Sequence, residues 1–349
     1  MNLDQALDQL LERAGSDLLL SCGSRPRIRK DGRLEPLEGE EPILSPADTK
    51  KMVGEILDAK QLKLLEKRRH VDFAFTWREK GRIRGNAYYQ RNSLAIAFRL
   101  LPLEIPTFDM LGLPEAVHRL LERRQGLILV TGPTGSGKST TQAAMIDLLN
   151  ATRPFHIITI EDPIEYVHRH KLSIVDQRQV GEDTPSFAEG LRGAFREDPD
   201  VILIGEMRDL ETTEAALAIA ETGHLVIATL HTNDASQAID RIVDSYTGPQ
   251  QQQVRIQTAA SLAGVIYQRL LPAVGGGRVA AFEVLMTNVA VRSMIKEGKT
   301  DQIRSVLETG LREGSQTLER SLNQLLRAGL ILERDARVHS LYPHEVNAT

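Results

Sequence analysis

The chain has 349 residues, 41% of them hydrophobic, and a net charge of −4 from 43 basic and 47 acidic side chains. This length and composition suit two packed domains, and the slight acidity argues against a chain built mainly to grip nucleic acid. Cys22 is the only cysteine, which excludes an internal disulfide and a multi-cysteine zinc site. No apolar run is long enough for a membrane span and the first residues are polar, so the expectation is a cytosolic protein, at most peripheral to a membrane.

Leu3, Ala6, Leu7, Leu10 and Leu11 recur at helical spacing and predict an amphipathic opening helix. Residues 17–22 and 25–30 read as strands, with Asp31-Gly32 turning the chain into Arg33-Leu34 as a hairpin. Ser45-Pro46 starts a helix to about Leu57, and a charged helix follows over 61–69. Three strands come next, over 71–77, 82–90 and 93–101. The order is not strict βαβ, which predicts a small α+β domain over residues 1–101. Alternation along the last two strands puts Arg84 beside Arg82 on one face, and Arg99 opposite Leu94, Ile96, Phe98 and Leu100. The arginines form either a solvated face or a set that reaches phosphates.

A proline-stiffened linker is expected over 102–113, then a second domain over 114–349 with a helical C-terminal part. A helix over 114–123 leads into the apolar run Leu127 to Val130, a strand buried on both faces. It ends in Gly132-Pro133-Thr134-Gly135-Ser136-Gly137-Lys138-Ser139-Thr140, the P-loop pattern, and a helix over 141–149 follows. Glycines let successive N–H groups turn inward on phosphate oxygens, and the helix start offers its unpaired N–H groups to the same anion. Lys138 bridges the outer phosphates of a bound nucleotide in this pattern, and the Ser139 hydroxyl ligates Mg²⁺.

Further strands follow over 157–160, 200–204 and 225–230. The first ends in the acidic cluster Glu161-Asp162-Pro163-Ile164-Glu165, at a strand's carboxyl end, where ligands of open α/β sheets sit. The second ends in Gly205-Glu206, a Walker B pattern that aims Glu206 at the γ-phosphate. His224 and His231 bracket the third strand, too far apart in register to share a metal. Helices are predicted over 187–196, 210–222, 235–244, 250–262, 289–297, 301–309 and 317–328, and strands over 265–271 and 278–285. The tail from Glu333 has no clear period.

The P-loop, the acidic cluster, Gly205-Glu206-Met207-Arg208-Asp209, and Thr222-Gly223-His224 through His231-Thr232-Asn233 occur in that order. With them the chain resembles the PilT-like type IV pilus retraction ATPases of the secretion ATPase superfamily, over residues 16 to about 328. Val291-Arg292-Ser293-Met294-Ile295-Lys296-Glu297-Gly298-Lys299 resembles a signature of the retraction branch. The resemblance implies a PAS-like N-terminal domain, a RecA-like ATPase domain and a homohexameric ring with ATP bound between domains. It places Glu161, Asp162 and Glu165 around Mg²⁺ and the attacking water, with Asp162 and Ser139 on the ion. Glu206 becomes the Walker B glutamate, His224 and His231 a His box, and Arg84 and Arg99 the arginines that reach nucleotide. It also implies an inner-membrane pilus platform protein as partner, at the cytoplasmic face of that membrane, and no nucleic acid. The accessory retraction paralogue, a pilus assembly or type II secretion ATPase and, more remotely, a nucleic-acid translocase are the alternatives. Two departures stand out: Leu19 replaces the family's usual histidine, and the tail after Leu332 lacks the family pattern.

Overall fold

The structure, a computed structural model, describes residues 2–13, 15–30, 33–39, 42–78, 81–101 and 104–347. It divides into two units: Met1–Glu104 with Glu165–Val167, and Ile105–Ile164 with His168–Thr349. The hairpin turn expected at Asp31-Gly32, and Pro102 and Leu103 of the linker, lie outside the described residues.

The first unit runs α1 (Leu3–Glu12), β1 (Asp17–Ser21), β2 (Arg27–Lys30), β3 (Arg33–Pro36), α2 (Pro46–Ile56), α3 (Ala59–Arg68), β4 (His70–Trp77), β5 (Gly81–Gln90) and β6 (Ser93–Leu101). Each helix begins at a residue that can cap it. Asn2, Ser45 and Asp58 accept N–H groups of the first turn, and the residue three positions on reaches back to complete a capping box. The six strands form one antiparallel sheet in the order β3-β2-β1-β6-β5-β4. Its apolar face carries Leu18, Leu20, Phe73, Ile83, Ile96 and Phe98 against the buried side of α1. Gly85 lies opposite Phe73 in the ladder, and a Cβ there would sit 2.2 Å from the Phe73 ring, so only glycine fits.

The second unit runs α4 (Phe108–Leu111), α5 (Glu115–Leu121), β7 (Gly126–Thr131), α6 (Lys138–Thr152), β8 (His156–Glu161), β9 (Ile174–Gln179), α7 (Phe187–Ala194), β10 (Val201–Ile204), α8 (Leu210–Glu221), β11 (Leu225–Leu230), α9 (Ala235–Asp244), α10 (Gln250–Ser261), β12 (Leu262–Pro272), β13 (Arg278–Met286), α11 (Val289–Glu297), α12 (Ile303–Thr309), α13 (Leu318–Arg327) and α14 (Glu333–His339). Seven strands form a sheet in the order β13-β12-β7-β11-β10-β8-β9, parallel except for β13. Helices cover both faces, and every residue of β7, β10 and β11 is buried, as expected of parallel strands between two helical layers. This is the RecA-like half of the chain. No described helix is long and apolar enough to cross a membrane.

Three elements carry no signal in the sequence: β9, α4 and, in the tail, α14. β9 is a polar edge strand whose only buried residues are Val175 and Gln179, so it has no apolar alternation to betray it. α4 is a single turn in the stretch read as linker, and its Phe108 packs into the core of the second unit with Val117 and Leu120.

The tail also has structure. Arg304 of α12 donates to Glu319 of α13 (3.1 Å), to Glu308 (2.9 Å) and to Glu345 (2.7 Å), and stacks on Tyr342. Glu319 is 1% exposed and also accepts the Leu341 and Tyr342 N–H groups, each at 3.0 Å. Removing the guanidinium leaves that buried carboxylate without its countercharge. Arg304→Met is therefore expected to destabilise the second unit by about 3 kcal/mol in urea titration, and to expose the tail beyond Leu332 to proteolysis.

Candidate active site

The register of the central strands builds the site. Thr131 at the end of β7 lies opposite Leu230 at the end of β11, so Gly132 and His231 leave the sheet side by side. Ile204 of β10 pairs with Ala228 of β11 and with Ile160 of β8, which brings Gly205-Glu206 beside Glu161 and His231. A Cβ on Gly205 would come within 3.2 Å of the Glu161 Cα, so a side chain there would press these two strand ends apart by a few tenths of an ångström. Four carboxyl ends of parallel strands thus meet at one edge.

The P-loop spans the gap from β7 to α6. Gly132, Gly135 and Gly137 have φ of +145°, +79° and +90°, and Gly137 is the N-cap of α6 with no side-chain cap of its own. The first N–H groups of α6 are therefore left to an anion. Lys138 Nζ donates to the carbonyls of Gly132 (2.8 Å) and Pro133 (3.1 Å). It also lies 3.3 Å from His231 Nδ1. An ammonium only donates, so Nδ1 accepts and the imidazole proton sits on Nε2. That Nε2 meets Glu206 Oε1 at 3.2 Å. Lys138, His231 and Glu206 form one continuous hydrogen-bonded line from the phosphate loop to the Walker B strand.

The other oxygen of Glu206 accepts from Arg208 at 2.8 Å. Burial alone would push the Glu206 carboxyl up, but the hydrogen bond and charge of Arg208, with His231 behind them, outweigh it and hold the group below its ordinary value. Asp162 adds to the negative field at Arg208. Glu161 is turned aside, accepting from Thr159 (2.6 Å) and Gln177 (3.1 Å). Glu165 falls in the stretch grouped with the first unit.

His224 lies at the far end of β11 from His231, where its Nδ1 meets Thr222 Oγ1 (3.2 Å) and its ring packs near Phe195. The structure does not bring it to the P-loop of the same chain. Arg84 and Arg99 face each other across β5 and β6 in the first unit. Arg99 is exposed, on Asp17 at 2.9 Å, and Arg84 is partly exposed, within 3.8 Å of Asp72.

The oxygen set at this edge suits Mg²⁺. A Ser139 hydroxyl at the start of α6 and the Asp162 carboxylate are hard donors that this ion takes together with phosphate oxygens and water. Among the described residues no group of three or more His, Cys, Asp or Glu side chains could hold a metal by itself. An ion carried largely by nucleotide phosphates needs no such group.

One residue was invisible to sequence reasoning. Gln268 of β12, 1% exposed, donates its amide to the Ser136 carbonyl at 2.6 Å, and its own carbonyl backs onto Gly132. β12 runs beside β7, so where β7 turns into the loop β12 continues and holds the loop from behind. Partners 132 positions apart leave no signal in spacing. Gln268→Leu strands the buried Ser136 carbonyl, and nucleotide affinity is expected to fall about tenfold in a titration with a fluorescent ADP analogue.

Comparison with known proteins supplies the relatives. The family described as type II/IV secretion system protein matches residues 96–276. PilT of Pseudomonas aeruginosa, named a type IV pilus retraction ATPase, is 44% identical over 343 residues, covering 98% of this chain and 99% of its own. A twitching motility protein of Neisseria gonorrhoeae is 46% identical over 313 residues, 89% of this chain and 83% of its own. A crystal structure of the pilus retraction motor PilT with bound ADP superimposes with a TM-score of 0.94 at 50% identity, over the whole of both chains. The chain belongs to the type II/IV secretion system protein family, and within it is a PilT-like P-loop ATPase.

Proposed function

We propose that the chain is the ATP-driven motor of type IV pilus retraction, a ring of six copies. It works from the cytoplasmic face of the inner membrane against a pilus platform protein. The observation that carries the ATPase half of this reading is the line Lys138–His231–Glu206, which couples the group that touches phosphate to the group that faces water. The retraction half rests on the near full-length likeness to PilT.

Hydrolysis joins a water oxygen to the γ-phosphorus as the bond to ADP breaks, and the water's protons pass to the departing phosphate. Such transfer needs positioning and charge neutralisation more than a strong base. Glu206 suits that demand, since a carboxylate held below its ordinary pKa stays ionised, accepts the hydrogen bond of a water and orients it. Lys138 and the P-loop N–H groups hold the phosphates, and Mg²⁺ on Ser139 and Asp162 would neutralise them further. Because His231 accepts from Lys138, drawing Lys138 onto a γ-phosphate changes what His231 presents to Glu206. The histidine thereby reports occupancy to the Glu206 carboxylate. Glu161 and Glu165 would help to place water beside a bound Mg²⁺. Arg84 and Arg99 add positive charge at a nucleotide held within the ring. His224, at the far end of β11, acts at the boundary between neighbouring copies.

Glu206→Gln is expected to keep ATP binding and to lower turnover about a hundredfold or more. Cells carrying it should retain surface pili but lose surface motility. Loss of pili instead would point to assembly, and unchanged turnover would remove Glu206 from the mechanism. Arg84→Ala and Arg99→Ala are expected to leave the melting temperature without nucleotide near that of the wild type, because neither side chain is buried. Each should cut hydrolysis roughly tenfold, the rate equivalent of about 1.4 kcal/mol of lost transition-state stabilisation. Unchanged hydrolysis in both would leave these arginines as a solvated face.

A further inference from the structure

We propose that Glu283 is a positioning residue of the hydrolytic site: from β13 it fastens the start of α9, and through the short loop before that helix it sets His231 against Lys138 and Glu206. The inference rests on the reading of His231 given above.

Glu283 is 1% exposed, and its Oε1 accepts the N–H of Ala235 at 3.0 Å. Ala235 is the first residue of α9, and Asp234 before it is the N-cap, accepting the Gln237 N–H at 2.7 Å. A helix opens with N–H groups that have no partner inside it. Here the N-cap covers one of them and a carboxyl from another strand covers the first. Only His231, Thr232, Asn233 and Asp234 separate this anchor from the end of β11. The loop is therefore held at both ends, by the buried sheet on one side and by Glu283 on the other. Its own contacts are long, a Thr232 hydroxyl on the Asp234 carbonyl at 3.3 Å and the Asn233 N–H on Gln237 Oε1 at 3.4 Å. Release of the outer end lets His231 drift from contacts of 3.3 Å to Lys138 and 3.2 Å to Glu206.

The choice of residue fits this role better than packing does. A carboxyl so deeply buried is costly, and an apolar side chain of the same volume would fill the space more cheaply. Burial pushes Glu283 up to about 7, against the pull of the Ala235 N–H. Asp234 on α9 and Glu319 on α13 push it further up, while Arg304 on α12 opposes them. The Tyr267 phenol, opposite Glu283 on β12, is itself raised, mainly by burial and partly by this carboxyl. Above neutrality the acceptor becomes charged and grips the helix start more tightly.

The test uses the full chain, with ATP turnover at saturation and affinity for a fluorescent ADP analogue as readouts. Glu283→Met removes the acceptor, and Glu283→Gln keeps it without the charge. The expected result is a fall in kcat of about tenfold for Glu283→Met with nucleotide affinity within about twofold of wild type, and near wild-type kcat for Glu283→Gln at pH 7. In a His231→Ala background, Glu283→Met should cost less than about twofold, because the residue it positions is already gone. Wild-type kcat in Glu283→Met, equal loss in both backgrounds, or Glu283→Gln as impaired as Glu283→Met would each overturn the proposal. Should Glu283→Met not fold, the ratio of wild-type to Glu283→Gln kcat decides: it should rise as pH passes through about 7, and a flat ratio overturns the proposal. Full activity in His231→Ala would instead overturn the reading of His231 itself. An inactive His231→Ala beside an unaffected Glu283→Met removes Glu283 alone.

Discussion

The parallel register of β7, β11, β10 and β8 is the constraint from which the site follows. Thr131 opposite Leu230, and Ile204 opposite both Ala228 and Ile160, bring four strand ends to one level. Each strand then delivers what lies at its end or just beyond it: the phosphate loop, His231, Glu206 and Glu161. β7, β10 and β11 are buried along their whole length and β8 between its end residues, so a one-residue shift of register would send each side chain into the packing of the opposite helical layer. The chemistry is positioned by the same burial that stabilises the sheet.

Electrostatics then divides the labour. Glu206 is held at both oxygens, by the Arg208 guanidinium on one and on the other by the His231 N–H, which Lys138 backs. Two such partners keep it ionised despite burial, which makes it an orienting acceptor and a poor proton store. Glu161, two hydrogen bonds away from freedom on Thr159 and Gln177, has a fixed direction as well. Preorganised groups of this kind need little rearrangement when charge moves in the transition state.

The β12–β13 hairpin forms the back wall of this arrangement. Gln268 holds the P-loop and Glu283 holds the start of α9 from neighbouring strands. Behind them Arg304, Glu319 and Glu345 tie α12, α13 and the tail together. Two polar groups at adjacent positions of the hairpin register, each deeply buried, give the two loops of the site a common support.

Much of this chain declares itself locally. The P-loop is legible because a strand, a run of glycines and a helix start are contiguous, and the physics of phosphate binding needs them in that order. The buried strands are legible as apolar runs, and the N-terminal helices by their capping residues. β9 and α4 were hidden because a polar edge strand and a single helical turn carry no period. The tail was hidden for a related reason, since α14 buries only Ala336 and the segment after it is held by Glu345 on Arg304 of α12 and by the Leu341 N–H on Glu319 of α13. The sequence could name His231 and Glu206 but not join them, since their contact depends on which strands lie side by side. Gln268 and Glu283 gave no local sign at all. Their partners, Ser136 and Ala235, are far off in the chain, and only the packing of β12 beside β7, with β13 outside it, brings them within hydrogen-bonding distance.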